Sequence, residues 1–269
     1  MGLSETSENV IEVNDLVVKY GDRTVLSGVD FEVRRGETIV ILGGSGSGKS
    51  TLLRTLVGLK QPHSGCIRMD GKDITQATME EQVEARKKTG MCFQGSALFG
   101  SMSVGDNVAL PLLEHTDLER STIDIMVKIK LDLVGLGGFE DYMPAELSGG
   151  MKKRAGLARA MAMDPEIIFY DEPSAGLDPI VAAGLDALIN KLKHTFNLTS
   201  VVVTHELPSV ELIADRVCML HQGKVVGLGT LEEVKAMDSP FIRQFFAREP
   251  DDEDGEREEF LRSLTEEQH

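Results

Sequence analysis

The chain has 269 residues, of which 41% are hydrophobic and 27% charged, with a net charge of −16 and no Trp. That length admits one large domain or two small ones. The acidic balance and the few aromatic residues argue against a nucleic-acid partner, which would need clustered Lys and Arg and stacking platforms.

The opening residues, MGLSETSENV, have neither the basic nor the apolar stretch of a signal peptide. Nowhere do roughly 18 apolar residues run together, so no membrane span is expected. Val10 to Tyr20 alternates as a strand, Gly21-Asp22-Arg23 reads as a turn, and Val25 to Val33 reads as a second strand. After a break at Arg35-Gly36 comes a short apolar strand, Thr38 to Leu42, then a glycine-rich loop and a helix from Lys49 to Leu59. Gly65 to Asp70 is a further strand, and a polar helix, Thr78 to Lys88, leads into a strand from Thr89 to Phe93.

From about Ser96 to Ala162 the pattern turns helical, with Ile123, Met126, Val127 and Ile129 to Leu133 at spacings of three and four. Strand and helix then alternate again: strand Ile167 to Asp171, helix Ile180 to Phe196, strand Thr199 to Thr204, helix Pro208 to Asp215. A hairpin follows from Arg216 to Leu228 around Gln222-Gly223, then short helices from Leu231 to Met237 and from Pro240 to Phe246. Buried apolar strands alternating with helices imply a largely parallel sheet covered on both faces. The chain ends acidic, with ten Asp/Glu against two Arg from Glu249 to His269, half of the net charge; this stretch reads either as a disordered solvated tail or as ending in a short helix whose Phe260 and Leu264 face docks on a partner. Cys66, Cys92 and Cys218 lack the spacing of a metal site and are expected to be buried thiols.

Three motifs carry chemistry. Gly43-Gly44-Ser45-Gly46-Ser47-Gly48-Lys49-Ser50 fits G-x-x-x-x-G-K-[ST], with an apolar strand before it and a helix after it. Glycines let the backbone wrap so that N–H groups face phosphate oxygens, and the helix start adds partial positive charge. Lys49 suits the β- and γ-phosphates, and Ser50 suits Mg2+. The strand Ile167 to Asp171 ends on two carboxylates, where Asp171 suits a metal's water shell and Glu172 a general base. Leu147-Ser148-Gly149-Gly150-Met151 runs into another helix start, a second place for a γ-phosphate.

With these motifs in this order, the chain resembles the ATP-binding cassette (ABC) family over roughly residues 10 to 245. The resemblance implies an α/β, P-loop NTPase fold of the ABC type: a mostly parallel core sheet, an antiparallel β layer and an inserted helical subdomain over about 95–162. The cassette would span 1–248 and the acidic extension 249–269. ATP and Mg2+ are the implied cofactors. Tyr20 matches the residue that stacks on adenine, and Gly43 to Ser50 with Thr51 match the phosphate cradle. Gln94 matches the glutamine that links Mg2+ and water to the transporter contact. Ser174-Ala175-Gly176-Leu177-Asp178 matches the loop that crosses to a partner subunit, and His205 matches the γ-phosphate histidine. Ser148, Gly149 and Gly150 would close the ATP site of a second copy of the chain.

Within the family, the lack of a heptad run between Ser50 and Leu147 sets the chain apart from the long coiled-coil branch that serves DNA repair. A single cassette sets it apart from translation factors. The segments Phe93-Gln94-Gly95-Ser96-Ala97-Leu98-Phe99 and Glu114-His115-Thr116, with Met151 after the signature, resemble the ATPases of Mla/Mce lipid-transport systems. That resemblance implies membrane permease subunits as partners, with a small STAS-domain regulator and an Mce-domain lipid-binding protein in the same system. It also implies a place on the cytoplasmic face of a bacterial inner membrane. The ATPase of an amino-acid importer shares the layout and is the alternative. Phe99 is expected either to dock on the permease or to fill the core of the helical block.

Overall fold

A computed structural model describes residues 9–249. The acidic run beyond Glu249, with the helix expected around Phe260 and Leu264, lies outside the described residues. Alternating burial makes two long strands at the start, β1 (Asn9–Tyr20) and β2 (Arg23–Arg34), paired antiparallel. With β4 (Ser64–Met69) and the two-residue β5 (Lys72–Asp73) they form a four-stranded antiparallel sheet in the order β2-β1-β4-β5. The short β5 has no sequence signal of its own and exists only as a partner for β4.

The second sheet is the core. Its order is β10-β9-β3-β8-β7-β6, built from β3 (Thr38–Leu42), β6 (Thr89–Cys92), β7 (Ile167–Asp171), β8 (Thr199–Val203), β9 (Arg216–His221) and β10 (Lys224–Gly229). All pairings are parallel except the β9–β10 hairpin at one edge. Successive residues feed opposite cores, as period-two geometry requires. Val40, Leu42, Ile168, Tyr170, Val202, Val217 and Met219 face the helical side. Ile39, Ile41, Phe169, Val201, Val203, Cys218 and Leu220 face α1 (Lys49–Leu56) and the antiparallel sheet. Arg216 clips the two sheets together, bonding Glu32 at 2.8 Å and Glu37 at 3.2 Å.

Several boundaries differ from expectation. The helix α1 stops at Leu56 because Gly58 takes a left-handed φ of +74°. β6 stops at Cys92, which moves Gln94 into the turn beyond the strand. Of the three free thiols only Cys218 is buried; Cys66 and Cys92 are half-buried.

The helical block holds α3 (Val104–His115), which runs through Pro111, α4 (Arg120–Leu133) and α5 (Gly149–Ala160). The other α-helices among the described residues are α2 (Met79–Lys87), α6 (Pro179–Phe196), α7 (Leu207–Ile213), α8 (Leu231–Lys235) and α9 (Pro240–Ala247). The irregular segment before α3 is held by one fully buried side chain. Asn107 accepts from the Phe99 N–H at 2.7 Å and donates to the carbonyls of Phe99, Met102 and Ser103 at 3.1, 3.2 and 2.9 Å. Phe99 itself is 52% exposed, so it is not a core residue.

Replacing Asn107 by Ala leaves the part-buried Phe99 N–H and the Met102 carbonyl without their partner and removes one of two bonds to the Phe99 and Ser103 carbonyls. The expected loss is about 2–4 kcal/mol of folding stability, read as a lower midpoint in urea unfolding of the purified chain. A midpoint equal to that of wild type would mean that water replaces the amide without cost.

Candidate active site at the carboxyl rim of the core sheet

Parallel strands deliver their carboxyl ends to one rim, and the chemistry-bearing residues sit there. Ile41 pairs with Val203, and Val203 with Asp171, so the ends of β3, β8 and β7 lie level, one strand spacing apart. The loop Gly43 to Ser50 leaves β3 and enters α1. Gly43 has φ +154°, and a Cβ there would stand 2.2 Å from the Leu220 carbonyl oxygen and 2.7 Å from Ser47 Oγ, so only glycine fits. Gly48 is the N-cap of α1 and offers no side-chain acceptor, which leaves the first N–H groups, from Lys49, Ser50 and Thr51, aimed at whatever the loop holds.

Lys49 Nζ donates to the carbonyls of Gly43 and Gly44 at 2.8 and 2.9 Å. Burial lowers its pKa, opposed by the charges of Glu172 and Asp171, which puts all three groups within electrostatic reach. Ser47 is buried and its Oγ has no hydrogen-bond partner. An uncapped helix start, an ammonium and an orphaned hydroxyl around a cradle that a Cβ would fill fit a phosphate chain. Gly44, Ser45 and Gly46 complete the turn, with Gly46 again left-handed at φ +73°.

Asp171 ends β7, and burial followed by repulsion from Glu172 raises its pKa, against the pull of Arg54, Lys153 and Lys49. Glu172 adopts φ +49°, a costly conformation for a residue with a Cβ. Its N–H donates to Val203 O at 2.9 Å, which anchors the turn to β8. One carboxylate oxygen, Oε1, lies 2.8 Å from His205 Nδ1, while Oε2 is buried without a partner. A carboxylate fixed through one oxygen, with the other unpaired, has the disposition of a base awaiting a proton donor. His205 follows β8 and is well exposed; its Nε2 lies 3.5 Å from Glu206.

The other expected residues stand as follows. Gln94 is exposed, and its backbone carbonyl accepts from Lys153 Nζ. Tyr20 closes β1; the residue is 45% exposed, with the Lys60 ammonium 4.5 Å from its ring centroid. Ser148 is the N-cap of α5, its Oγ accepting from Met151 N at 3.3 Å. Gly149 and Gly150 pack beside Leu177 and Val181, so the signature sits on the start of α6. Asp178 caps that helix, accepting from the N–H groups of Ile180 and Val181 at 3.1 Å each, a structural duty not evident from the motif. Lys153 is the basic residue that sequence reasoning passed over. It lies on the helical stripe of Gly156, Leu157 and Ala160, and that spacing was the available signal.

Fold and rim together define a P-loop nucleoside triphosphatase. The family model described as ABC transporter matches residues 26–175, and the chain belongs to that family. It is therefore an ATP-binding, ATP-hydrolysing cassette. Over 245 residues it is 43% identical to the intermembrane phospholipid transport system ATP-binding protein MlaF of Haemophilus influenzae, covering 91% of this chain and 93% of the relative. It is 44% identical over 235 residues to a Mycobacterium bovis protein named as a probable ribonucleotide transport ATP-binding protein, mkl, covering 87% of this chain and 66% of that one. Among solved structures, a dimeric ATP-binding cassette in a post-hydrolysis state with ADP and Pi superposes with a TM-score of 0.75 at 28% identity, over 82% of this chain and 98% of that chain.

Folding raises the pKa of Asp171 above its ordinary value of 3.8, so the native state holds this proton more tightly than the unfolded chain does. Stability is therefore lost as pH rises from about 4 through the folded pKa. Asp171→Asn removes that loss. The nucleotide-free variant should melt higher than wild type at pH 7.5, with the difference shrinking toward pH 4. A lower melting temperature at pH 7.5 would show that the carboxylate is net stabilising.

Proposed function

We propose that the chain is the motor subunit of a phospholipid transporter, working as a dimer of two copies beneath membrane permease subunits at the cytoplasmic face of a bacterial inner membrane. The observation that carries the cargo reading is the match to the phospholipid-transport ATPase, which runs through nearly the whole length of both chains. The exposure of Phe99 and Leu113 on the helical block supports a docking face there for a permease. An Mce-domain lipid-binding protein and a small STAS-domain regulator complete the proposed assembly. The cassette occupies 1–248, its helical subdomain about 95–162, and 249–269 forms an acidic extension. The mycobacterial relative named for ribonucleotide transport supports a second reading, a polar phosphorylated cargo.

In the proposed cycle, bound ATP supplies the bond that is broken. Lys49 leaves the Gly43 and Gly44 carbonyls to neutralise phosphate charge, while the N–H groups of Gly44 to Thr51 and the Ser47 hydroxyl line the cradle. Ser50, Asp171 and Gln94 are the residues that would hold Mg2+, with Tyr20 against the base. Glu172 orients and deprotonates water through its unpaired oxygen, held in place by His205, which also faces the γ-phosphate. Ser148, Gly149 and Gly150 serve the ATP of the second copy, and Asp178 lies at the same seam. Closure around the phosphates and release after hydrolysis make the stroke.

Glu172→Gln keeps the shape and hydrogen bonding but removes the base. Turnover should fall roughly a hundredfold to ten-thousandfold, while ATP binding persists and a dimer accumulates in gel filtration with ATP and Mg2+. Normal turnover in this variant would remove Glu172 from the base role.

The cargo is tested in proteoliposomes holding the chain with its co-purified permease. ATP should drive movement of a fluorescent phospholipid and leave labelled ribonucleotide where it was; the reverse result selects the second reading.

A further inference from the structure

The first turns of α5 do more than present Ser148, Gly149 and Gly150. This helix lies backbone to backbone on β6, because a Cβ on Gly90 would stand 2.4 Å from the Ala160 carbonyl oxygen. From that close seat it sends two cations to backbone carbonyls in the turns that follow β6 and β7. Lys153 Nζ donates to the carbonyl of Gln94 and, at 3.0 Å, to the carbonyl of Glu172. Arg159 donates to the carbonyls of Ala97 and Ser96 at 2.7 and 2.9 Å. The residues so held include Ser96, Ala97 and Glu172, all left-handed without being glycine, at φ +63°, +50° and +49°. Such conformations persist only where the surroundings over-determine them.

We propose that Lys153 is a positioning residue of the ATPase centre: one ammonium fixes the backbone of Glu172 and of Gln94 together, and so ties hydrolysis in one subunit to the helix whose start completes the site of the other. The inference rests on the roles given above to Glu172, Gln94 and Ser148.

Three features support it. The ammonium is half-buried, and burial lowers its pKa against the fields of Cys92, Glu172 and Asp171, so it sits where a surface lysine would not. Its two acceptors are far apart in sequence and lie in the turns that follow the neighbouring strands β6 and β7, so one ammonium reaches both. It lies one turn inside α5, so a shift of Gly149 and Gly150 on the Leu177–Val181 surface moves Lys153 with the helix. A lysine with three donors on a flexible stem can hold two carbonyls at once, which an uncharged side chain of the same length cannot.

The test is steady-state ATP hydrolysis by the full-length chain with Mg2+, comparing Lys153→Met, Lys153→Arg and wild type. A displaced base lowers kcat, so Lys153→Met should lose about tenfold to a hundredfold in kcat. KM for ATP should stay within about twofold, since the phosphate cradle is untouched. Lys153→Arg, which restores two or more donors, should recover most of the rate. A Lys153→Met kcat within twofold of wild type overturns the proposal. So does a loss of kcat matched by a rise in KM that Lys153→Arg fails to relieve. Should Lys153→Met melt early, Lys153→Arg against Lys153→Gln decides at matched melting temperature: equal kcat overturns the proposal, and a clear advantage for Arg sustains it. Glu172→Gln in the same assay separates the two levels. If it turns over normally, the reading of the site has failed; if it is inactive while Lys153→Met is normal, only the inference has.

Discussion

The structure depends on burying both faces of five short parallel strands. Thr38–Leu42 and Thr199–Val203 are buried at every position, and their alternate side chains fill two separate cores. A strand buried on both faces has no room for charge along its length, so ionisable groups are displaced to its end. Because the strands run the same way, those ends share a rim, and Lys49, Asp171, Glu172 and His205 converge there without being close in sequence. Level register between β3, β8 and β7 sets how near they come.

That convergence has an energetic consequence. Lys49 and Asp171 carry opposite charges, yet burial shifts each pKa against its charged form. Each therefore costs folding stability in the nucleotide-free chain, the usual sign of a site organised for a ligand and not for the fold. The same holds for backbone geometry. Glu172, Ser96 and Ala97 are held in left-handed conformations that folding alone would avoid, and the groups that hold them come from α5 and β8.

The helical block serves the rim differently. Its core is apolar, but the segment between β6 and α3 is organised by polar contacts, with Asn107 below it and Arg159 behind it. Phe99 projects from this polar frame into solvent. A segment fixed at its base and apolar at its tip is suited to carrying a displacement from the rim to a partner, because the frame moves as a unit.

The local sequence was sufficient for what depends on local chemistry. Gly43 to Ser50 declares a phosphate loop because only that spacing of glycines lets backbone N–H groups converge ahead of a helix. The run Ile167 to Glu172 declares buried strand and rim carboxylates because five apolar-flanked residues cannot do anything else with two acids. Tertiary structure decided what depends on partners distant in the chain. The end of β6 at Cys92, the pairing of Glu172 with His205 and the exposure of Phe99 follow from packing. So does the inward turn of Lys153 from a run of three basic residues. The spacing of Lys153 to Gly156, Leu157 and Ala160 marks the face it shares, but which element that face meets, here β6 with Gly90 at the contact, is set by packing.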